Sequence, residues 1–168
     1  MAHPSEPTAS VGIRPATLND LPAIVAMRND LNALELAACP HAAIQRMTLE
    51  QFTAQWGRTI GDPDYCWRLV EAGRQPVGFA LIYLTTPRVA PTPAYLQWAY
   101  LAPPYRRRGV GRMLFEHLAG WARARGAGRI ELQFIEGNEP AERFWAKVGF
   151  RPYARKCVHY LDREPRTD

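Results

Sequence analysis

No stretch of these 168 residues approaches the ~20 apolar residues that span a bilayer, and the N-terminus, MAHPSEPTAS, lacks the basic-then-apolar order of a signal peptide. The sequence therefore predicts a cytoplasmic protein with no membrane partner. Cysteine is scarce. Cys39, Cys66 and Cys157 are odd in number, far apart and without a CxxC pair or a histidine at ligand spacing, which excludes a disulfide framework and predicts no metal site. They are expected to be buried or half-buried thiols, small hydrophobes in effect. Internal repeats and low-complexity blocks are absent too.

What is present is enough for a core. With 47% hydrophobic residues, the chain suffices for one domain without metal or disulfide staples. The reading is a flexible N-terminal tail over 1–10, a single domain over 11–161 and a flexible C-terminal tail over 162–168, the tails being polar, charged and proline-bearing. Charge is divided unequally. Residues 1–72 carry five Arg against eight Asp or Glu, net −3, whereas residues 73–168 carry sixteen Lys or Arg against eight acids, net +8. An anionic ligand is expected to meet the second half.

Val11 to Pro15 reads as an opening strand, and Asp20 before Pro22 as the N-cap of a helix reaching about Leu36. A second helix is predicted from Leu49 to about Ile60, ending at Gly61-Asp62-Pro63. The period then changes. Tyr65 to Glu71 and Pro76 to Leu84 read as a hairpin turning at Gly73-Arg74-Gln75, Thr85 to Pro93 as a loop with three prolines, and Tyr95 to Leu101 as a strand covered on both faces. Gly109 to Arg125 is the clearest helix, with Met113, Leu114, Leu118, Trp121 and Ala122 on one stripe and Gly126 as its stop. Arg129 to Ile135 alternates as a strand. Ala141, Phe144, Trp145 and Val148 fall at helical spacing between a cap at Asn138 and a stop at Gly149, and two last strands fit within Phe150 to Leu161. That order describes an α+β or α/β mixed sheet.

The segment LAPPYRRRGVG, Leu101 to Gly111, joins a buried strand to the start of the best helix. Unpaired amides at a helix start, together with its dipole, suit phosphate oxygens. Gly109 and Gly111 allow close backbone approach, and Arg106, Arg107 and Arg108 supply charge. The glycine spacing excludes a Walker loop and a dinucleotide fingerprint.

In this context Arg106-x-x-Gly109-x-Gly111 resembles the acetyl-CoA loop of the GNAT superfamily of N-acetyltransferases, Gln/Arg-x-x-Gly-x-Gly/Ala. A second resemblance lies downstream, where Asn138-x-x-Ala141-x-x-Phe144-Trp145-x-Lys147-x-Gly149-Phe150 is similar to the family's Asn-x-x-Ala-x-x-Φ-Tyr-x-Lys-x-Gly-Phe helix. The resemblance is strong over about Tyr95 to Phe150 and weak over the opening strand and Asp20-Leu-Pro.

It implies a central mixed, mostly antiparallel twisted sheet of six to seven strands flanked by about four helices, with acetyl-CoA as cosubstrate. The backbone of Ala99 and Leu101 would pair with the pantetheine arm. The amides from Arg106 through Arg107, Arg108, Gly109, Val110 and Gly111 to Arg112 would hold the pyrophosphate. Asn138 would bond the pantetheine amide end, Trp145 would wall the channel, and Lys147, Arg143 or Arg112 would approach the 3′-phosphate. The reaction implied is direct attack of a primary amine, from a small molecule or peptide, on the thioester within a ternary complex. A non-catalytic acetyl-CoA-binding sensor or interaction module is the alternative.

Trp145 departs from the pattern, because many members carry there a tyrosine thought to protonate the leaving thiolate, and an indole N–H donates without titrating. Tyr95, Tyr100, Tyr153 and Tyr160 are the substitute candidates. Tyr95 and Gln97 stand where some relatives carry a glutamate base, which leaves Glu35, Glu71, Glu131 and Glu136 as conceivable acceptors of the amine proton. Residues 18–64, on the acceptor side of the implied fold, are acidic on balance and predict a cationic acceptor. No nucleic-acid motif accompanies the pI of 9.4, so no nucleic-acid partner is expected, and the chain is expected to be a monomer or homodimer.

Overall fold

A computed structural model of the chain describes residues 10–86 and 91–159. Tyr160, the tail residues 1–9 and 162–168, and the middle of the Thr85–Pro93 loop lie outside the described residues. Described in chain order are β1 (Val11–Pro15), α1 (Leu21–Ala38), α2 (Leu49–Trp56), β2 (Tyr65–Ala72), β3 (Gln75–Leu84), β4 (Thr92–Leu101), α3 (Val110–Ala124), β5 (Ala127–Leu132) and α4 (Glu139–Lys147). No helix among them is long and apolar enough to cross a membrane.

The strands form one sheet in the order β1-β2-β3-β4-β5, antiparallel except for the parallel β4–β5 pair. Chain direction dictates this arrangement. Tight turns keep β2 and β3 antiparallel, whereas β5 must return along α3 and so lies parallel to β4.

Each face of the sheet has its own core. Ile24 and Val25 of α1 and Phe52 of α2 pack with Trp67, Phe79, Leu81 and Trp98 on one side. Val110, Leu114, Leu118 and Ala122 of α3 pack with Val70, Ile82, Ala94 and Leu96 on the other. Phe52, Phe79, Leu81, Ile82 and Ile24 are wholly buried, each worth about 1.5–3 kcal/mol in apolar area removed from water.

The start of α1 differs from expectation. Asp20 precedes the helix but its carboxylate does not cap it. Instead it accepts from the amide and hydroxyl of Thr17, at 2.7 and 2.9 Å, and from two guanidinium N–H groups of Arg14, at 2.8 Å each. Arg14 also donates to Glu71 at 2.8 Å, so β1, β2 and the entry to α1 are pinned at one point.

Five strands are formed among the described residues rather than six to seven, because Phe150 to His159 contains no strand. Arg151 to His159 is exposed throughout and buries no face, and Pro152 lacks a ladder donor, so the local β-propensity of Tyr153 and Val158 has nothing to pack on. Cys157 is accordingly exposed, contrary to the expectation for the thiols, while Cys66 is buried and Cys39 half-buried.

Candidate active site

Between β4 and α3 the chain makes one 3-10 turn, Pro103–Tyr105, and then two left-handed steps. Gly109 has φ +81° at the helix N-cap, and Arg107, at φ +61°, is the non-glycine residue with positive φ among the described residues. Left-handed steps interleaved in this way turn successive amides toward a common side, the geometry of an anion nest. The first i→i−4 bond of α3 is Met113 N–H to Gly109 C=O, so Val110, Gly111 and Arg112 have amides without an intrahelical acceptor.

The expected row of amides begins one residue late. The Arg106 amide is already bonded to Pro103 C=O. Its side chain also turns back, with Nε donating to Leu101 C=O at 2.6 Å and the guanidinium 5.6 Å from the Tyr100 ring centre. Arg106 therefore braces the loop against β4, while Arg107 and Arg108 are exposed.

The two glycines of the loop serve different ends. At Gly109 the backbone needs the left-handed region, and a Cβ would meet nothing within 4 Å. At Gly111 a Cβ would lie 3.2 Å from the ring of Phe144, so this glycine lets α4 pack onto α3.

β4 and β5 part company in mid-strand. Their pairing ends at Leu96↔Leu132, and at the same place β4 bulges: Leu81 faces Trp98 while Ile82 faces Leu96, leaving Gln97 unopposed. Since Ala102 N–H bonds Val77 on β3, alternation turns the backbone groups of Ala99 and Leu101 toward the opening. The opening holds a narrow pocket of about 50 Å³. Its walls come from Glu35 of α1, Gln97 to Ala99 of β4, Gln133 beyond β5, and Asn138, Ala141 and Trp145 of α4.

The structure thus brings Ala99, Asn138 and Trp145 together. Asn138 caps α4, its Oδ1 accepting from Ala141 N–H at 3.3 Å. Trp145 packs edge-on against Phe115, Phe144 and Phe150 at 4.7–6.2 Å. The remaining cations lie outside the pocket: Arg112 pairs with Glu116, Arg143 pairs with Glu139, and Lys147 is exposed in the last turn of α4. A larger groove, of about 290 Å³, lies between the far half of α3, the start of β5 and Phe150, and none of the cofactor-binding residues expected from the sequence lines it.

None of the described tyrosine candidates lines the pocket. Tyr100 is buried against Phe79, and burial, seconded by the Asp30 carboxylate, raises its pKa. Tyr95 is half-buried beside Tyr83, with its pKa raised by burial and then by Glu131. Tyr153 is 80% exposed. Tyr160 lies outside the described residues.

A feature that the sequence concealed sits on α1. Arg28 turns inward and lies 5.1 Å over the ring of Trp98, with Glu35 two turns on at 3.6 Å. Both side chains are mostly buried, 16% and 17% exposed. Burial raises the pKa of Glu35, against the pull of Arg28, and lowers that of Arg28, against the pull of Glu35. The i, i+7 spacing of opposite charges on an apolar stripe was the available signal. Asn29 and Asn32 fix the loop beyond α1 by donating to the carbonyls of Met47 and Gln45.

The profile of the acetyltransferase (GNAT) family matches residues 26–150. A mycothiol acetyltransferase of Beutenbergia cavernae is 33% identical over 125 residues, 74% of this chain and 40% of that protein. A streptothricin acetyltransferase of Streptomyces lavendulae is 42% identical over 50 residues, 30% of this chain and 26% of that one. The chain thus matches well under half the length of either relative. Among solved structures, the BH1408 protein of Bacillus halodurans shares the fold at TM-score 0.73 and 19% identity over 89% of this chain and 99% of that one. An aminoglycoside N-acetyltransferase, AAC(6')-Iy, crystallised with CoA, does so at 0.70 and 14% over 92% and 96%. With the profile covering most of the chain, and the parted strands and amide nest lying within it, this protein belongs to the acetyltransferase (GNAT) family.

Proposed function

We propose that the protein transfers an acetyl group from acetyl-CoA to a primary amine by direct attack within a ternary complex. The observation that carries this reading is the continuity of the nest at Arg107 to Arg112 with the parted edge of β4 and the pocket beyond it. The nest offers amides and arginine charge to the pyrophosphate, and the outward-facing backbone of Ala99, with the Leu101 amide, offers strand-like partners to the pantetheine amides, the Leu101 carbonyl being held by Arg106. The thioester then lies in the pocket between Gln97 and Trp145. Aminolysis needs a neutral amine held about 3–3.5 Å from the carbonyl carbon and dipoles for the developing charge, and no covalent enzyme intermediate.

The acceptor is proposed to be cationic. Glu35 belongs to the acidic first part of the chain and lines the α1 side of the pocket, while the basic loop follows β4 in the second part. Calorimetry with CoA and acetyl-CoA tests the cofactor half of the reading; thiol release across polyamines, amino acids, aminoglycosides and amino-terminal peptides tests the rest. Saturable binding with turnover of cationic amines is the expected result. A best substrate of net negative charge would overturn the acceptor class.

Trp145 favours a second reading, an acetyl-CoA-binding module without turnover, because an indole offers the departing thiolate no titrating acid. Binding of acetyl-CoA with no thiol release from any amine would select it.

A further inference from the structure

We propose that Glu35 takes the proton from the incoming amine, with Arg28 as its positioning residue; the assignment rests on the acetyl-transfer reading above. Four carboxylates were open to this role on sequence, and the structure separates them. Glu71 is held by Arg14 at 2.8 Å and Glu131 by Arg129 at 2.6 Å, while Glu136 is exposed and outside the pocket. Glu35 lines the pocket, opposite the β4 bulge and α4.

Three further observations suit it to proton transfer. Arg28 approaches Glu35 at 3.6 Å, beyond hydrogen-bond length, so the carboxylate keeps its lone pairs available. Arg28 is itself fixed over Trp98, a wall of the same pocket, and so holds the carboxylate toward the opening. Burial raises the pKa of Glu35, against the pull of Arg28, which is the direction that favours taking up a proton. The polar groups facing the pocket from β4, from beyond β5 and from α4 are Gln97, Gln133 and Asn138, none titratable; the charged neighbour is Arg28 on α1 itself.

The ammonium of the acceptor gives one proton to the Glu35 carboxylate, and the freed nitrogen pair forms the C–N bond at the thioester carbonyl. The C–S bond breaks and its electron pair leaves on the CoA sulfur. A second nitrogen proton passes to that sulfur, and Glu35 returns its own to solvent. The products are the amide, CoA thiol and one proton.

The test uses the full chain with acetyl-CoA and three amines, butylamine, spermidine and L-ornithine, followed by thiol release between pH 5 and 10. Glu35→Gln should lower kcat about 10²- to 10⁴-fold while leaving acetyl-CoA affinity by calorimetry within twofold. In the parent protein kcat/KM should rise with pH and then level once Glu35 is ionised. In Glu35→Gln it should keep climbing about tenfold per pH unit toward the pKa of the amine, because the neutral amine alone then reacts. Arg28→Met removes the charge that opposes the rise and should move the ascending limb to higher pH.

Glu35→Gln leaves a mostly buried guanidinium without its carboxylate and risks misfolding, so Arg28→Met/Glu35→Gln removes both charges and should show the same pH profile as Glu35→Gln. An unchanged kcat in either Gln variant, or a fall in kcat with the parental pH profile, overturns the assignment while leaving acetyl transfer standing. Acetyl-CoA binding without turnover of any of the three amines by the parent overturns the assignment together with the reading beneath it.

Discussion

The ring of Phe144 lies against Gly111, where a Cβ would come within 3.2 Å of it. Gly111 thus couples the first turn of α3 to α4. Gly111→Val should lower stability by about 1–3 kcal/mol through overpacking. Phe144→Ala should recover part of that loss in the double variant, although it costs stability alone. Urea titration of the four members of this cycle is the measurement, and additive effects would show that the two residues do not press on each other.

Gly109 gives a contrasting case. A side chain there has space, but φ +81° is unfavourable for an L-residue. Gly109→Ala should cost about 1–2 kcal/mol from the backbone alone. As the substitution tilts the nest, it should also weaken CoA binding in calorimetry, whereas a Gly111 variant repaired at Phe144 should recover more of it.

Trp145 lines the pocket and packs against three phenylalanines. Trp145→Ala should cost up to about 3 kcal/mol in thermal unfolding, since the side chain is only half-buried. Trp145→Phe should keep most CoA affinity and activity. If thiolate protonation limits the reaction, Trp145→Tyr should raise kcat at neutral pH. A collapse of kcat in Trp145→Phe with binding intact would instead give the indole N–H a part in the chemistry.

The Arg14–Asp20 pair makes a prediction in pH. The two guanidinium bonds from Arg14, then those from Thr17, hold the Asp20 pKa well below the usual carboxylate range, against the opposing effect of burial. A depressed folded-state pKa contributes stability that is full above the unfolded value of about 4 and is lost as pH falls toward the folded value. Asp20→Ala should therefore cost about 2 kcal/mol at pH 7, and its deficit relative to the parent should narrow below about pH 4. A deficit constant from pH 7 to pH 2 would contradict the linkage.

Much of the fold was legible because its signals are local. Gly73-Arg74 between two β-rich runs gave the hairpin, and Asn138, Gly126 and Gly149 marked helix ends that the structure keeps. Where a signal depends on a distant partner, the reading slipped. Gln133 to Ile135 continues the alternation of β5, yet the strand ends at Leu132 because β4 turns away at Gln97 and leaves it nothing to pair with. The inward turn of Arg28 depends on Trp98, seventy residues later, which lies beneath it. Within the site, the amide nest was readable from glycines and helix context, but the placement of Glu35 against β4 follows only from the crossing of α1 over the sheet.

The unopposed residue at Gln97 also bears on how this chain tolerates change in length. Before it, Ala94 and Leu96 face α3; after it, Ala99 does so, while Trp98 and Tyr100 face α1. The alternation of β4 therefore changes phase at one residue. Deleting Gln97 would not simply shorten a strand: it would offer β3 a regular ladder and close the gap from β5. The same sequence, one letter shorter, would gain a continuous sheet and lose the opening beside Ala99.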